Sequence, residues 1–203
     1  MKSLLITRVE TTMSPAPYFK RYASGGKVNS IKFFVTAVAS LLVLSNAHAE
    51  DFNTAIINTV TPSGVGWSSK NDDPTASALA AFGVKRYNWI ANDGKDRVIL
   101  FIDPRSTESP SFSRESDVRA GARNCKDFSN KTEFGGESDP FLGWVSVCTL
   151  ASGNVMTLRH FAFNHDKVGY KISRVWRDQP SSDLVTQWRE TVNSVIAQLG
   201  KSK

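Results

Sequence analysis

The two histidines after residue 50 have the side chains best suited to catalysis. His160 and His165 lie five residues apart in the segment LRHFAFNH. A single histidine paired with a carboxylate would act as a general base, and Asp103 and Asp166 are the candidate carboxylates. Residues five apart on a strand face opposite sides of the sheet, so the two imidazoles are not expected to share a metal ion. The pattern therefore favours one strand histidine and one turn histidine over a catalytic site.

Sequence motifs for other kinds of chemistry are absent. The chain contains no HExxH or CxxC spacing for a metal and no GxSxG motif for a nucleophilic serine. The sequence therefore predicts neither a metal nor a cofactor, and an enzyme is the less favoured interpretation.

Cys125 and Cys148 are the two cysteines of the chain. Export to an oxidising compartment would make a disulfide between them the expected state. In the chain-entropy model, a bond closing a loop of this length stabilises the fold by about 3 kcal/mol. A reactive cysteine is the alternative, but no Cys–His motif supports it.

Aromatic and basic residues suggest a binding surface. All five tryptophans follow residue 50, and Trp67 comes directly after a glycine-rich loop, where an exposed ring would anchor a partner. Trp144 at the start of a predicted strand is a further candidate. Arg159 is another, since it could form a basic sheet face together with Lys171, Arg174 and Arg177 of the predicted meander. For Trp144 the alternative is a place in the core, and for Arg159 it is simple exposure to solvent.

The N-terminal region has the pattern of an export signal. Residues 33–44 form an uncharged apolar run, too short for a membrane-spanning helix of about 20 residues. A lysine precedes the run and an A-x-A motif ends at Ala49, which predicts a secretory signal of bacterial type over residues 28–49. We interpret residues 1–27 as an unstructured extension or the result of a start codon placed too far upstream. A membrane anchor is the alternative to cleavage after Ala49.

Charge separates the predicted leader from the rest of the chain. The 203 residues carry a formal net charge of +6. Residues 1–49 contain six basic residues and one acid, so residues 50–203 hold 19 basic and 18 acidic residues. A nearly neutral domain lacks the basic surface of a nucleic-acid binder. We therefore expect residues 50–203 to form one domain that binds no nucleic acid.

The first half of this domain is expected to combine short helices with a hairpin. Residues 51–61 fit either a helix or a strand, and a helix is predicted over 75–82 after the Asp72-Asp73-Pro74 start signal. Two strands, 84–91 and 98–102, flank the turn sequence Asn92-Asp93-Gly94. A modest helix over 113–122 and a loop over 128–140 are expected to follow.

The second half predicts a meander and a long helix. Residues 144–150, 155–163 and 169–176 are rich in β-formers and separated by turns. Leu184, Trp188 and Val192 begin an apolar stripe at helical spacing. The sequence thus predicts an α+β fold with an antiparallel sheet of about five strands and the C-terminal helix packed across one face.

This order of elements resembles that of the PsbP and Mog1 proteins, α-β-α domains that close with a tryptophan-bearing helix. The resemblance covers about the last 60 residues and rests on element order, so no functional residue is carried over from it. We expect a monomeric periplasmic or secreted binding domain whose partner is a protein, such as a secreted hydrolase that it inhibits, or a cell-envelope component. The alternatives are a small exported hydrolase with a His–Asp pair and a carrier of lipid or another small ligand.

Overall fold

The computed structural model describes residues 51–64, 66–71, 74–106, 108–136 and 139–201. The predicted extension, the predicted signal and the proposed helix start at Asp72-Asp73 lie outside these ranges. Within them, no helix is both long enough and apolar enough to cross a membrane.

A seven-stranded sheet forms the middle layer of the fold. Its strand order is β1-β2-β3-β7-β6-β5-β4, and every neighbouring pair is antiparallel. The strands are β1 (Trp67–Ser69), β2 (Lys85–Ala91), β3 (Asp96–Asp103), β4 (Asp127–Phe134), β5 (Phe141–Thr149), β6 (Val155–His165) and β7 (Val168–Arg177). The predicted hairpin is β2–β3, and the predicted meander is β5–β6–β7.

The sheet has two more strands than the sequence predicts, and both lie at its edges. β1 is only three residues long, too short to show an alternating pattern. The loop predicted over residues 128–140 is wrong up to residue 134, because β4 occupies that stretch. Its polar sequence, with Ser129 and Lys131 exposed, is typical of an edge strand, whose conformation depends on pairing with β5.

Helices cover both faces of the sheet. Residues 51–60 are helical and are called α1, which resolves the choice between helix and strand for that segment. The remaining helices are α2 (Pro74–Ala80), α3 (Pro110–Asn124) and α4 (Ser182–Lys201). α1 and α4 share a hydrophobic core with one face of the sheet, here called the core face. α2 packs against β2, and α3 packs over β4, β5 and β6.

The core face carries the main apolar cluster. Leu100, Phe161 and Ile172 are completely buried there, together with Trp188 and Val195 of α4. Burying one such side chain is worth roughly 1.5–3 kcal/mol. The apolar stripe of the C-terminal helix therefore packs across one sheet face, and that prediction is confirmed.

The opposite face, here called the α3 face, is more polar and is held by a covalent link. The disulfide Cys125–Cys148 joins the residue that follows α3 to the end of β5, as predicted. Close packing of the helix depends on Gly121, where an added Cβ would lie 2.1 Å from the ring of Phe128. At the other end of α3, the side chain of Ser109 accepts a hydrogen bond from the backbone N–H of Phe112.

Candidate functional site

An open groove lies at one end of the core face, with a volume of about 540 Å³. It lies between the start of β1, the β2–β3 turn, the end of β7 and the first turn of α4. Its lining includes Trp67, Asn92, Asp93, Asp178 and Leu184. We call it the Trp67 groove.

Trp67 differs from the other tryptophans in its exposure. It is partly buried and packs against the edge of the core. The other four are at most 8% exposed: Trp89, Trp144, Trp176 and Trp188. The aromatic anchor predicted from the sequence therefore lies at a groove, and the residue is partly exposed.

Backbone hydrogen bonds between neighbouring segments hold the groove in shape. The N–H of Asn92 donates to the carbonyl of Gly66 at 2.7 Å, which ties the hairpin turn to the loop before Trp67. The N–H of Arg177 donates to the carbonyl of Lys95 at 2.8 Å. These bonds fix the groove walls before any ligand is present, which reduces the ordering cost of binding.

Asp178 has an unusual backbone conformation at the groove wall. Its φ is +92°, in a region that non-glycine residues rarely adopt. Such a conformation costs on the order of 1–3 kcal/mol and often occurs at ligand-binding sites. The N–H of Asp178 donates to the carbonyl of Val155 at 2.9 Å and helps to hold it in place. The sequence does not indicate this conformation, because Asp178 lies in the linker between β7 and α4, where aspartate is a common residue.

A second polar arrangement lies on the α3 face, beneath the helix. His160 Nδ1 is 2.8 Å from Ser173 Oγ and 3.5 Å from Asp117 Oδ2. Lys171 Nζ donates to both oxygens of Asp117, at 2.6 and 2.7 Å. The ring of Trp144 stacks on His160 with centroids 5.0 Å apart. We call these five residues the buried polar cluster.

Burial and neighbouring charges set the protonation of the cluster. Burial of His160 lowers its pKa to about 4, opposed by Asp117 and reinforced by Lys171. Burial acts to raise the pKa of Asp117, but the Lys171 ammonium and His160 lower it to below 3.8. At neutral pH the cluster therefore holds a neutral imidazole beside an Asp–Lys ion pair.

The geometry of the cluster does not fit a catalytic relay. In such a relay the two ring nitrogens of histidine are divided between the nucleophile and the carboxylate. Here Ser173 and Asp117 both approach Nδ1 of His160. His160 and Ser173 are also 5% and 4% exposed, which leaves them inaccessible to a substrate in this conformation. The cluster therefore stabilises α3 on the sheet.

The other catalytic candidates lie elsewhere. His165 Nε2 is 3.4 Å from Asp166 Oδ2, and the His165 ring stacks on Phe52 at 3.9 Å, on the face opposite His160. Asp103 accepts the backbone N–H of Arg105 at 2.9 Å in a turn. Across the described ranges, no group of three or more His, Cys, Asp or Glu side chains could hold a metal ion.

The structure separates the three binding candidates. Trp144 is completely buried in the polar cluster, and Arg159 forms an ion pair with Glu133 on the core face. Neither residue lines the Trp67 groove. Only Trp67 among the three lies where a ligand could contact it in this conformation.

Comparison with known proteins provides no further assignment of the site. The chain matches no protein-family model and no curated protein sequence. The disulfide is the feature that bears on location, since such bonds persist in oxidising compartments.

Proposed function

We propose that the protein is an exported binding domain that recognises a protein or another cell-envelope component through the Trp67 groove. The observation that carries the proposal is a partly exposed tryptophan in an open groove whose walls are fixed by backbone bonds. Tryptophan is enriched among the residues that contribute most of the binding energy at interfaces. The groove therefore offers an anchor of the expected type in a pre-organised setting.

Two features support export to the periplasm or the cell exterior, and a third bears on the kind of partner. The leader pattern over residues 28–49 predicts cleavage after Ala49. The Cys125–Cys148 disulfide suits an oxidising compartment. The near-neutral charge of residues 50–203 supports a partner other than nucleic acid. We propose that the processed domain acts as a monomer, without a metal or another cofactor.

A hydrolase is the weaker proposal because neither histidine has the surroundings that it requires. His160 is buried with both contacts on one nitrogen, and His165 is paired with the adjacent Asp166. A carrier with its ligand between the sheet and α4 is also less favoured. Trp188, Val192 and Val195 already pack into the core at that position.

Capture from cell-envelope extract of the source organism tests the proposed function. The protein purified from an exporting host is immobilised as wild type, Trp67→Ala and Phe112→Ala. Phe112 is the matched control, since it is an exposed aromatic residue on α3, outside the groove. We expect the wild type and Phe112→Ala to retain one common component. Trp67→Ala should lose it by more than tenfold, because truncating an aromatic anchor costs about 2 kcal/mol or more.

Two outcomes would contradict the proposed function. One is equal capture by wild type and Trp67→Ala, which would place the binding surface elsewhere. The other is the absence of any component retained by the wild type. Thermal unfolding of each variant shows whether a loss of capture is due to unfolding.

A further inference from the structure

We propose that the Trp67 groove takes a neutral glycan chain, with the Trp67 ring as the platform for a sugar and the carboxylate of Asp178 as an acceptor for its hydroxyl groups. This inference rests on the proposed function and names the chemical class of the ligand. It follows from the charge balance of the groove, the shape of its polar groups and the way its backbone is already bonded.

The charges of the groove balance one another. The two negative charges of Asp93 and Asp178 are balanced by the positive charges of Lys95 and Arg177, which also line the groove. The remaining acid, Asp96, accepts two hydrogen bonds to one of its oxygens from Arg174, at 2.7 and 3.2 Å. A groove without a net excess of either sign gives no electrostatic preference for an anionic or a cationic ligand. An uncharged polar ligand fits this balance.

The polar groups are flat and exposed beside an aromatic ring. Carboxylates, amides and a guanidinium project from Asp93, Asp178, Asn92, Gln179 and Arg177, all of which are exposed. Apart from Asp93, one of whose oxygens accepts the backbone N–H of Lys95, each of these groups presents two neighbouring donor or acceptor positions, the arrangement that pairs with adjacent hydroxyls on a sugar ring. The electron-rich face of a tryptophan attracts the slightly positive C–H groups of the sugar's flat side. The groove thus combines polar groups that can bind sugar hydroxyls with an aromatic ring that can contact the C–H groups of the sugar.

An extended peptide fits the groove less well, because four backbone donors of its walls are already used. The N–H groups of Asn92, Arg177 and Asp178 donate to carbonyls of neighbouring segments, and that of Lys95 donates to the Asp93 side chain. Recognition of a peptide as an added strand depends on free main-chain groups along the site. At these four positions, side chains rather than main-chain donors are therefore the groups that remain to select a ligand.

The strained backbone of Asp178 provides an independent indication. Glycine would adopt a φ of +92° without strain, yet the chain has an aspartate there, with its side chain exposed at the groove. A side chain kept in a strained position is often held there for function. Replacing Asp178 with glycine removes the carboxylate and also relaxes the backbone, which separates a loss of binding from a loss of folding.

Binding to an array of neutral glycans, followed by titration of the best binder, tests the inference. The array includes β-1,4- and α-1,4-linked oligomers of glucose and N-acetylglucosamine, and proline-rich neutral peptides serve as the competing class. Titration is followed by tryptophan fluorescence, to which the partly exposed residue Trp67 contributes. We expect at least one glycan to bind and to change the fluorescence of the wild type and of Phe112→Ala.

The variants then separate the roles of the two residues. Asp178→Gly should bind the same glycan about tenfold or more weakly while unfolding at a temperature no lower than the wild type. Trp67→Phe should retain part of the binding and Trp67→Ala should lose it. Undiminished affinity of Asp178→Gly would overturn the assigned role of the carboxylate.

The outcomes distinguish this inference from the proposed function. Binding of no neutral glycan overturns the inference, and binding of the peptides instead assigns the groove to protein ligands. In both cases the proposed function stands if Trp67→Ala still loses the component captured from envelope extract. If capture is insensitive to Trp67, the proposed function itself fails.

Discussion

Acidification should destabilise the protein through His160. The imidazole is buried beneath α3, with Asp117 of that helix and Lys171 of β7 as its charged neighbours. Burial lowers its pKa from 6.5 to about 4. In the unfolded chain His160 binds a proton as the pH falls through 6.5, whereas in the folded protein it stays neutral until about pH 4. Between these values the unfolded state binds more protons, so stability falls as the pH is lowered.

The size of this effect follows from the difference between the two pKa values. Each pH unit of difference corresponds to about 1.4 kcal/mol, so His160 should remove about 3 kcal/mol of unfolding free energy between pH 6.5 and pH 4. Asp117 acts at lower pH, because its folded pKa lies below 3.8 and its stabilisation is lost only as the pH falls through that range. The window from pH 6.5 to 4 therefore reports mainly on His160 within the cluster.

Urea unfolding at a series of pH values from 7 to 4.5 measures the effect. His160→Gln replaces the imidazole with a neutral side chain that does not titrate in this range. The variant should be less stable than the wild type at pH 7 and should lose less stability on acidification. His165→Gln is the matched control, since it removes the other described imidazole without touching the cluster, and it should keep the loss of stability that His160 causes on acidification.

Two results would refute this reasoning. Equal pH dependence in the wild type and His160→Gln would show that His160 does not titrate in the folded protein as its burial requires. A wild type whose unfolding free energy stays constant from pH 6.5 to 4.5 would show the same.

Two further predictions concern the attachment of α3. Gly121→Ala should lower the unfolding free energy by about 1–2 kcal/mol, because the added Cβ meets the ring of Phe128. Gly200→Ala, where nothing lies within 4 Å of the added Cβ, should leave it unchanged or raise it by less than about 1 kcal/mol; an equal loss in both would contradict close packing at Gly121. Reduction of Cys125–Cys148 should cost about 3 kcal/mol in urea unfolding, and hydrogen exchange should rise first in α3 and β4. Unchanged exchange in α3 after reduction would contradict its covalent anchoring.

Local signals predicted much of the fold. The turn sequence from Asn92 to Gly94 placed the first hairpin, and the stripe beginning at Leu184 and Trp188 placed the C-terminal helix on the core face. The β4 strand was missed because its polar residues become a strand only through pairing with β5. Such pairing involves a second segment, here the next strand along the chain, and a pattern within one segment does not show it.

The candidate site could be predicted only in part. The position of Trp67 after a glycine-rich loop indicates an anchor. Its neighbours in the groove, however, come from the end of β7 and from the β2–β3 turn, which are distant from it in sequence. The sequence also does not predict the partner of His160, since its candidate carboxylates are Asp103 and Asp166, whereas Asp117 reaches the imidazole from α3. The meeting of these residues depends on strand register and on where α3 crosses the sheet, and neither is encoded in local spacing.

The most direct test of the Trp67 groove as the binding site is the ¹H–¹⁵N NMR spectrum of the tryptophan indoles. The exported, ¹⁵N-labelled protein is titrated with the component captured from envelope extract by the wild type. We predict that the indole N–H signal of Trp67 shifts or broadens while those of the buried Trp144 and Trp188 remain in place. An unchanged Trp67 signal in the presence of bound component would contradict the account.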